Sequence, residues 1–228
     1  MMIGAVNIVA AGEHVKLRDV ETGALIAPAV EKDSGKGWAK LCAIVSAAHA
    51  SRGRSGQLRK ESQIGITRSQ LAKLIGEDGG CTVLIGPDSD VGRSVLAGPM
   101  QLAGSLLSAW REVLKAPGAL GVEVVSHLTE PGTAYSTEQA RRLLNLADSL
   151  AIPAVLTNAV RYLETDDALT ADVLDAARHL EPLGLFTPQP NAQAWLKPAK
   201  LMHKLALEIT EDKTRAKKLL DTTELLAN

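Results

Sequence analysis

Three stretches of the 228-residue chain carry residue types that could do chemistry. The first holds Glu123 and, four residues on, His127. Residues 120–125 (LGVEVV) read as a strand, which puts His127 in the loop directly after it, Ser126-His127-Leu128. A histidine on such a lip is a candidate metal ligand or acid–base group. The second stretch is Thr157-Asn158-Ala159-Val160-Arg161, a polar turn behind the apolar run 152–156. Asn158 offers a weak neutral oxygen there, and Arg161 a permanent positive charge. The third, residues 51–62 (SRGRSGQLRKES), gathers Arg52, Arg54, Arg59 and Lys60. It reads as a solvated surface loop or as a phosphate-contacting one. The other histidines, His14, His49, His179 and His203, fall inside expected strands or helices, where a structural role is the plainer reading. Asp88-Ser89-Asp90 reads as a turn plus a helix cap, not as a metal ligand set.

The elements that must position these residues alternate. Residues 3–17 hold one or two strands around Gly12, and a helix is expected from about 37 to 50, with Trp38, Leu41, Cys42, Val45 and Ala48 as its apolar positions. Thr67 and Gln70 fit a capping box for a short helix that ends at Ile75, with Gly76 as its stop. Residues 81–85 form an apolar strand ended by Gly86-Pro87-Asp88, and a short helix covers 90–96. Pro99 suits the first turn of the next helix, which carries Leu102, Leu106, Leu107, Trp110 and Leu114. After strand 120–125, Ser136 and Gln139 fit a second capping box for a helix to Leu150. The strand at 152–156 follows, then a helix with Leu169, Val173, Leu174, Ala177 and Leu180 on one face. Three strand–helix alternations, at 81–115, 120–150 and 153–180, imply an α/β fold with parallel strands and crossover helices. They leave open whether the sheet closes into a barrel. Past Pro182 the pattern turns all-helical. Asn191 caps a short helix through Leu196, Pro198 starts another through Glu208, and 212–226 make the last.

A net charge of −1 gives no basic footprint for a polyanion, and 3% aromatic residues provide few stacking platforms for single strands. Cys42 and Cys81 form neither a metal-type spacing nor a disulfide framework, which fits a reduced, cytoplasmic setting. No run of 18 apolar residues suggests a membrane span, and the apolar N-terminus lacks the basic region of a signal peptide.

Several segments share a likeness, in order. AVLTNAVRYLETDDALTADVLDAARHLEPL, GWAKLCAIVSAAHASRG, VEVVSHLTEPG and NAQAWLKPAKLMHKLALEI resemble parts of the PHP (polymerase and histidinol phosphatase) domain of the bacterial DNA polymerase III alpha subunit, in its actinobacterial and error-prone forms. The likeness runs from about Gly4 to the C-terminus. It implies a distorted βα barrel, whose intact members hold two or three metal ions on their strand ends and hydrolyse phosphoesters. It also implies a division into a partial PHP-like α/β domain, 1–185, and a helical tail, 186–228, leading toward a polymerase region.

The departures are as telling as the matches. The family's opening His-x-His pair and the Asp-His element after it have no counterpart. Its glutamate would fall at Val6, and the Asp and His of its last motif at Ala159 and Arg161, while the lip histidine survives as His127. Alanine and valine offer a metal no lone pair, and arginine repels a divalent ion. The expectation is therefore a metal-free, truncated PHP domain without proofreading or phosphatase activity: a scaffold in a family of DNA-directed DNA polymerases (nucleotidyltransferases) that serves DNA replication. Glu123, His127, Asn158 and Arg161 would be its vestigial site. Arg161 either fills a vacated metal position, paired with Glu123 or a phosphate, or is a solvated loop arginine. Partners would be the rest of an alpha subunit or a second copy, since missing strands leave an open sheet edge, with DNA met indirectly. The rivals are a stand-alone PHP-type phosphoesterase using zinc or manganese, and a nucleic-acid-binding module using Arg52, Arg54, Arg59 and Lys60.

Overall fold

The computed structural model describes residues 7–10, 36–50, 66–182 and 184–227. Within them four strands make one sheet in the order β1-β2-β3-β4: Asn7–Ala10, Cys81–Ile85, Leu120–Val124 and Ala154–Leu156. β1 runs antiparallel to β2, and β2, β3 and β4 are parallel, with Ile85 opposite Val122 and Val124 opposite Leu156. Every residue of β2 and β3 is buried, as continuous apolar strands covered on both faces require.

Eight helices surround the sheet among the described residues: α1 Lys36–Ala50, α2 Arg68–Ile75, α3 Asp90–Ala97, α4 Met100–Val113, α5 Thr137–Ser149, α6 Ala168–His179, α7 Ala199–Thr210 and α8 Lys213–Ala227. The core gathers Val83, Ile85, Val122 and Val124 from the strands with Val91, Val95, Leu107, Trp110, Leu143 and Ile209 from the helices. Each such side chain, fully buried, contributes roughly 1.5–3 kcal/mol. Trp110 also spends its polar atom well: Nε1 donates to Asp90 Oδ1 at 3.1 Å, while Arg68 pairs with Asp90 and lies 4.6 Å above the indole.

The expected strand–helix alternation is present, and so are the parallel strands. Thr67 and Gln70 form the capping box of α2, and Gly76 ends it at φ 70°. Ser136 caps α5, but Gln139 does not return the bond; its amide serves other partners, described below.

Three expectations need correction. The buried face of α1 uses Ile44, while Trp38 and Val45 are exposed and Cys42 lies on the surface. The helix expected at 191–196 is an irregular segment that bridges from Trp195 to Tyr162. Asn191 there makes a turn of its own, accepting from the Gln193 N–H at 3.1 Å. The stripe Leu169, Val173, Leu174 and Leu180 of α6 faces solvent, not the core. At the β4 edge, α8 packs alongside, and the Leu156 N–H donates to Thr223 Oγ1 at 2.8 Å. A side-chain hydroxyl thus satisfies a backbone group that an open edge would leave exposed. Among the described residues no helix is long and apolar enough to cross a membrane.

Candidate functional site at the carboxyl ends of the parallel strands

The carboxyl ends of parallel strands collect the loops where α/β proteins place ligands. Here the loops after β2, β3 and β4 enclose a cavity of about 550 Å³ lined by Asp88, Glu123, His127, Tyr135, Ala159 and Arg161, among others.

The loop after β2 is tight. Ser89 Oγ donates to Gly86 O at 2.7 Å and accepts from the Gly92 N–H at 3.0 Å, which caps α3. That turn aims Asp88 at the cavity, where its carboxylate accepts from the Tyr135 hydroxyl. Gln139, fully buried, ties the same turn to the loop before α5. Its Nε2 donates to Pro87 O at 3.1 Å and Gly92 O at 3.0 Å, and its Oε1 accepts from the Tyr135 N–H at 2.7 Å.

The loop after β3 is folded back on itself. The His127 N–H donates to Tyr135 O at 2.8 Å, and the two rings stack with centroids 4.9 Å apart. His127 Nε2 lies 2.8 Å from Asn158 O, and a carbonyl only accepts, so Nε2 carries the proton. The ring therefore joins the β3 lip to the β4 lip. Asn158 in turn donates to Gln193 O at 2.9 Å and Trp195 O at 2.6 Å, and its Oδ1 accepts from Lys197 at 2.8 Å. Asn191 Nδ2 donates to His127 O at 2.8 Å. The segment after α6 thus wraps the lip. Leu128, Tyr135 and Ala159 all hold positive φ, at 56°, 63° and 40°. Left-handed backbone at non-glycine residues costs of order 1–2 kcal/mol each and persists only where surrounding bonds enforce it.

Burial pushes the His127 imidazole below its ordinary value, and the Lys197 charge adds to that; the Asn158 carbonyl and Asp88 pull the other way. Burial, the bond to Asp88 and the charges of Asp88 and Glu123 hold the Tyr135 hydroxyl well above its ordinary range, against Arg161. Tyr135 is therefore a hydrogen-bond donor here, not a base. Burial brings Lys197 down to about 8.

Two of these shifts predict how stability varies with pH. The unfolded chain binds the His127 proton more readily than the folded one, so this contribution is full above about pH 6.5 and is lost on acidification. The same argument for Lys197 makes stability rise as pH climbs from about 8 toward 10.5. Urea unfolding across both windows checks this. His127→Phe should flatten the acid limb, and Lys197→Met the alkaline limb.

The structure brings Glu123, His127, Asn158 and Arg161 together at the carboxyl ends of β3 and β4. Glu123 is buried and accepts from Thr157 Oγ1 at 2.7 Å. The reading of Arg161 changes: its ion pair is with Asp175 of α6, at 2.6 Å, not with Glu123. Both charges are partly solvated, so Arg161→Ala should cost only about 0–1 kcal/mol in urea unfolding. His179, at the end of α6, stacks on Phe186. Val6, His14, Arg52, Arg54, Arg59 and Lys60 lie outside the described residues. The sequence reading missed Asp88, Tyr135, Gln139 and Lys197. Asp88 carried a usable signal, since it lies in the loop three residues past the end of β2; the others meet the lip through contacts remote in sequence.

Among the described residues no group of three or more His, Cys, Asp or Glu side chains is placed to hold a metal ion. The donors at the lip are partly engaged: His127 Nε2–H donates to a carbonyl, which leaves Nδ1 its lone pair, while Asp88 accepts from Tyr135 and Glu123 from Thr157. At the β4 lip Ala159 offers no donor atom and Arg161 is a cation. A two-metal phosphoesterase needs several free carboxylates and imidazoles that converge. No known family model matches the chain, and no curated protein is similar enough to count as a relative.

Proposed function

We propose that the chain is a PHP-like α/β domain of a DNA polymerase III alpha-subunit-like protein, acting in the cytoplasm as a scaffold and not as a phosphoesterase. Its parallel strands would belong to a distorted βα barrel, with 186–228 leading toward the polymerase region. The observation that carries the scaffold reading is the β4 lip, where the likeness calls for an Asp and a His and the chain has Ala159 and Arg161, the latter paired with Asp175 at 2.6 Å. His127 Nε2 ties this lip to the β3 lip through the Asn158 carbonyl at 2.8 Å. The motif likeness in four ordered segments supports the polymerase half of the reading. The aryl phosphate p-nitrophenyl phosphate, offered with zinc or manganese, tests it: the chain should leave the ester intact. Turnover abolished by His127→Ala would establish the phosphoesterase rival. That rival draws on one observation, the convergence of Asp88, Glu123 and His127 on a cavity of about 550 Å³.

A further inference from the structure

Helix α6 is turned inside out. Leu169, Val173, Leu174 and Leu180 project to solvent, with Leu169 72% and Leu180 91% exposed. Its polar side meets the body instead: Asp175 holds Arg161, and Asp172 accepts from the Gln189 N–H at 3.2 Å. Ala176 is its one buried residue. Among the described residues, its main contact with another element is the 3-10 turn Thr165–Asp167 that leads into it. At helical spacing Leu169, Val173 and Ala177 share an arc of about 80°, Leu174 lies about 60° beyond it, and Leu180 follows at the C-cap. Leu163, before the helix, and Leu185, after it, are also exposed. Single exposed leucines need no explanation, but a contiguous stripe on a helix whose polar side is already engaged marks a docking face.

Charge selects the occupant. Residues 160–182 carry six carboxylates against two arginines, and Arg161 is matched to Asp175. Glu164, Asp166 and Asp167 are exposed at one end of the stripe, while at the other Glu181 stands beside Arg178. A second copy would bring acidic end against acidic end if parallel, and would oppose three carboxylates with one arginine at most if antiparallel. One helix face also offers less than the roughly 800 Å² per partner of a stable dimer. We propose that this face docks an amphipathic helix of another polypeptide, whose apolar stripe is flanked by Lys and Arg. Leucines would supply the buried area, and the acidic end at Glu164, Asp166 and Asp167 would set orientation and on-rate. This holds whether or not the domain is PHP-like.

Two labelled helical peptides of about 18 residues test it, with one shared leucine stripe flanked by Lys in one and by Glu in the other. Fluorescence anisotropy with the full chain should show the Lys peptide binding at least about tenfold tighter, with affinity falling as salt rises. Leu169→Gln with Leu174→Gln should weaken it by about tenfold or more while leaving the unfolding midpoint in place, because both side chains are already in solvent. Asp166→Asn with Glu181→Gln should weaken the Lys peptide and flatten its salt dependence, without touching the stripe. Equal binding of the two peptides, binding indifferent to the leucine pair, or no binding would overturn the proposal. So would dimerisation through the same leucines in sedimentation equilibrium, which would hand the face to a second copy.

Discussion

Gly92→Ala should destabilise the chain by about 2–4 kcal/mol in urea unfolding. A methyl group added at Gly92 would lie 2.2 Å from Pro87 O and 2.4 Å from Gly86 O. Both are backbone atoms of the turn that carries Asp88, so the strain cannot be relieved by a side-chain rotation. The turn would have to move, losing the Ser89 cap and the two bonds from Gln139. Overpacking of this kind costs roughly 1–3 kcal/mol, and a lost cap about 1 more. The control is Gly104 in α4, where the new methyl would meet only Leu146 Cδ1, at an ordinary 3.8 Å. Gly104→Ala should stabilise by up to about 1 kcal/mol through helix propensity. The same substitution in two helices is thus expected to change sign. Destabilisation at both sites, or at neither, would show that the turn is not as close as described.

Gln139→Leu is the second large effect, a loss of about 3–4 kcal/mol. The side chain is fully buried and bonds three backbone groups of two separate loops. Leucine fills the volume but leaves the Tyr135 N–H and the Pro87 and Gly92 carbonyls without this partner. Each buried group so stranded costs about 1–3 kcal/mol, less where water can reach it, as beside Tyr135. The loss should also show locally. The Tyr135 hydroxyl, released from its loop position, should titrate closer to its ordinary range, because the bond to Asp88 helps to hold it up. Ultraviolet titration of the variant checks this. An unchanged tyrosine curve alongside a large stability loss would assign Gln139 to packing alone.

Much of the scaffold was legible in the sequence because its signals are local. Thr67, Gln70 and Gly76 bracket α2 with side-chain and backbone chemistry that acts over three or four residues. The apolar runs of β2 and β3 show as continuous strands because both faces are covered. Where signals depend on distant partners, the reading failed. Periodicity found the stripe of α6 but could not say which side faces the body. That was decided by Arg161 and Gln189, which engage Asp175 and Asp172. Asn191 has the chemistry of a helix cap, yet its side chain serves His127 O, 64 residues away in sequence. At the lip, Glu123 and His127 stood out because one strand carries both to its end. Asp88 and Tyr135 did not, because their pairing spans 47 residues.

In a metal-free scaffold His127 braces two strand ends through Nε2 and its other ring nitrogen takes no ion. Isothermal titration of the chain with zinc or manganese tests it most directly. A scaffold should show no stoichiometric site, and no difference between the wild-type chain and His127→Ala. A one-to-one or higher stoichiometry that disappears in His127→Ala would contradict it.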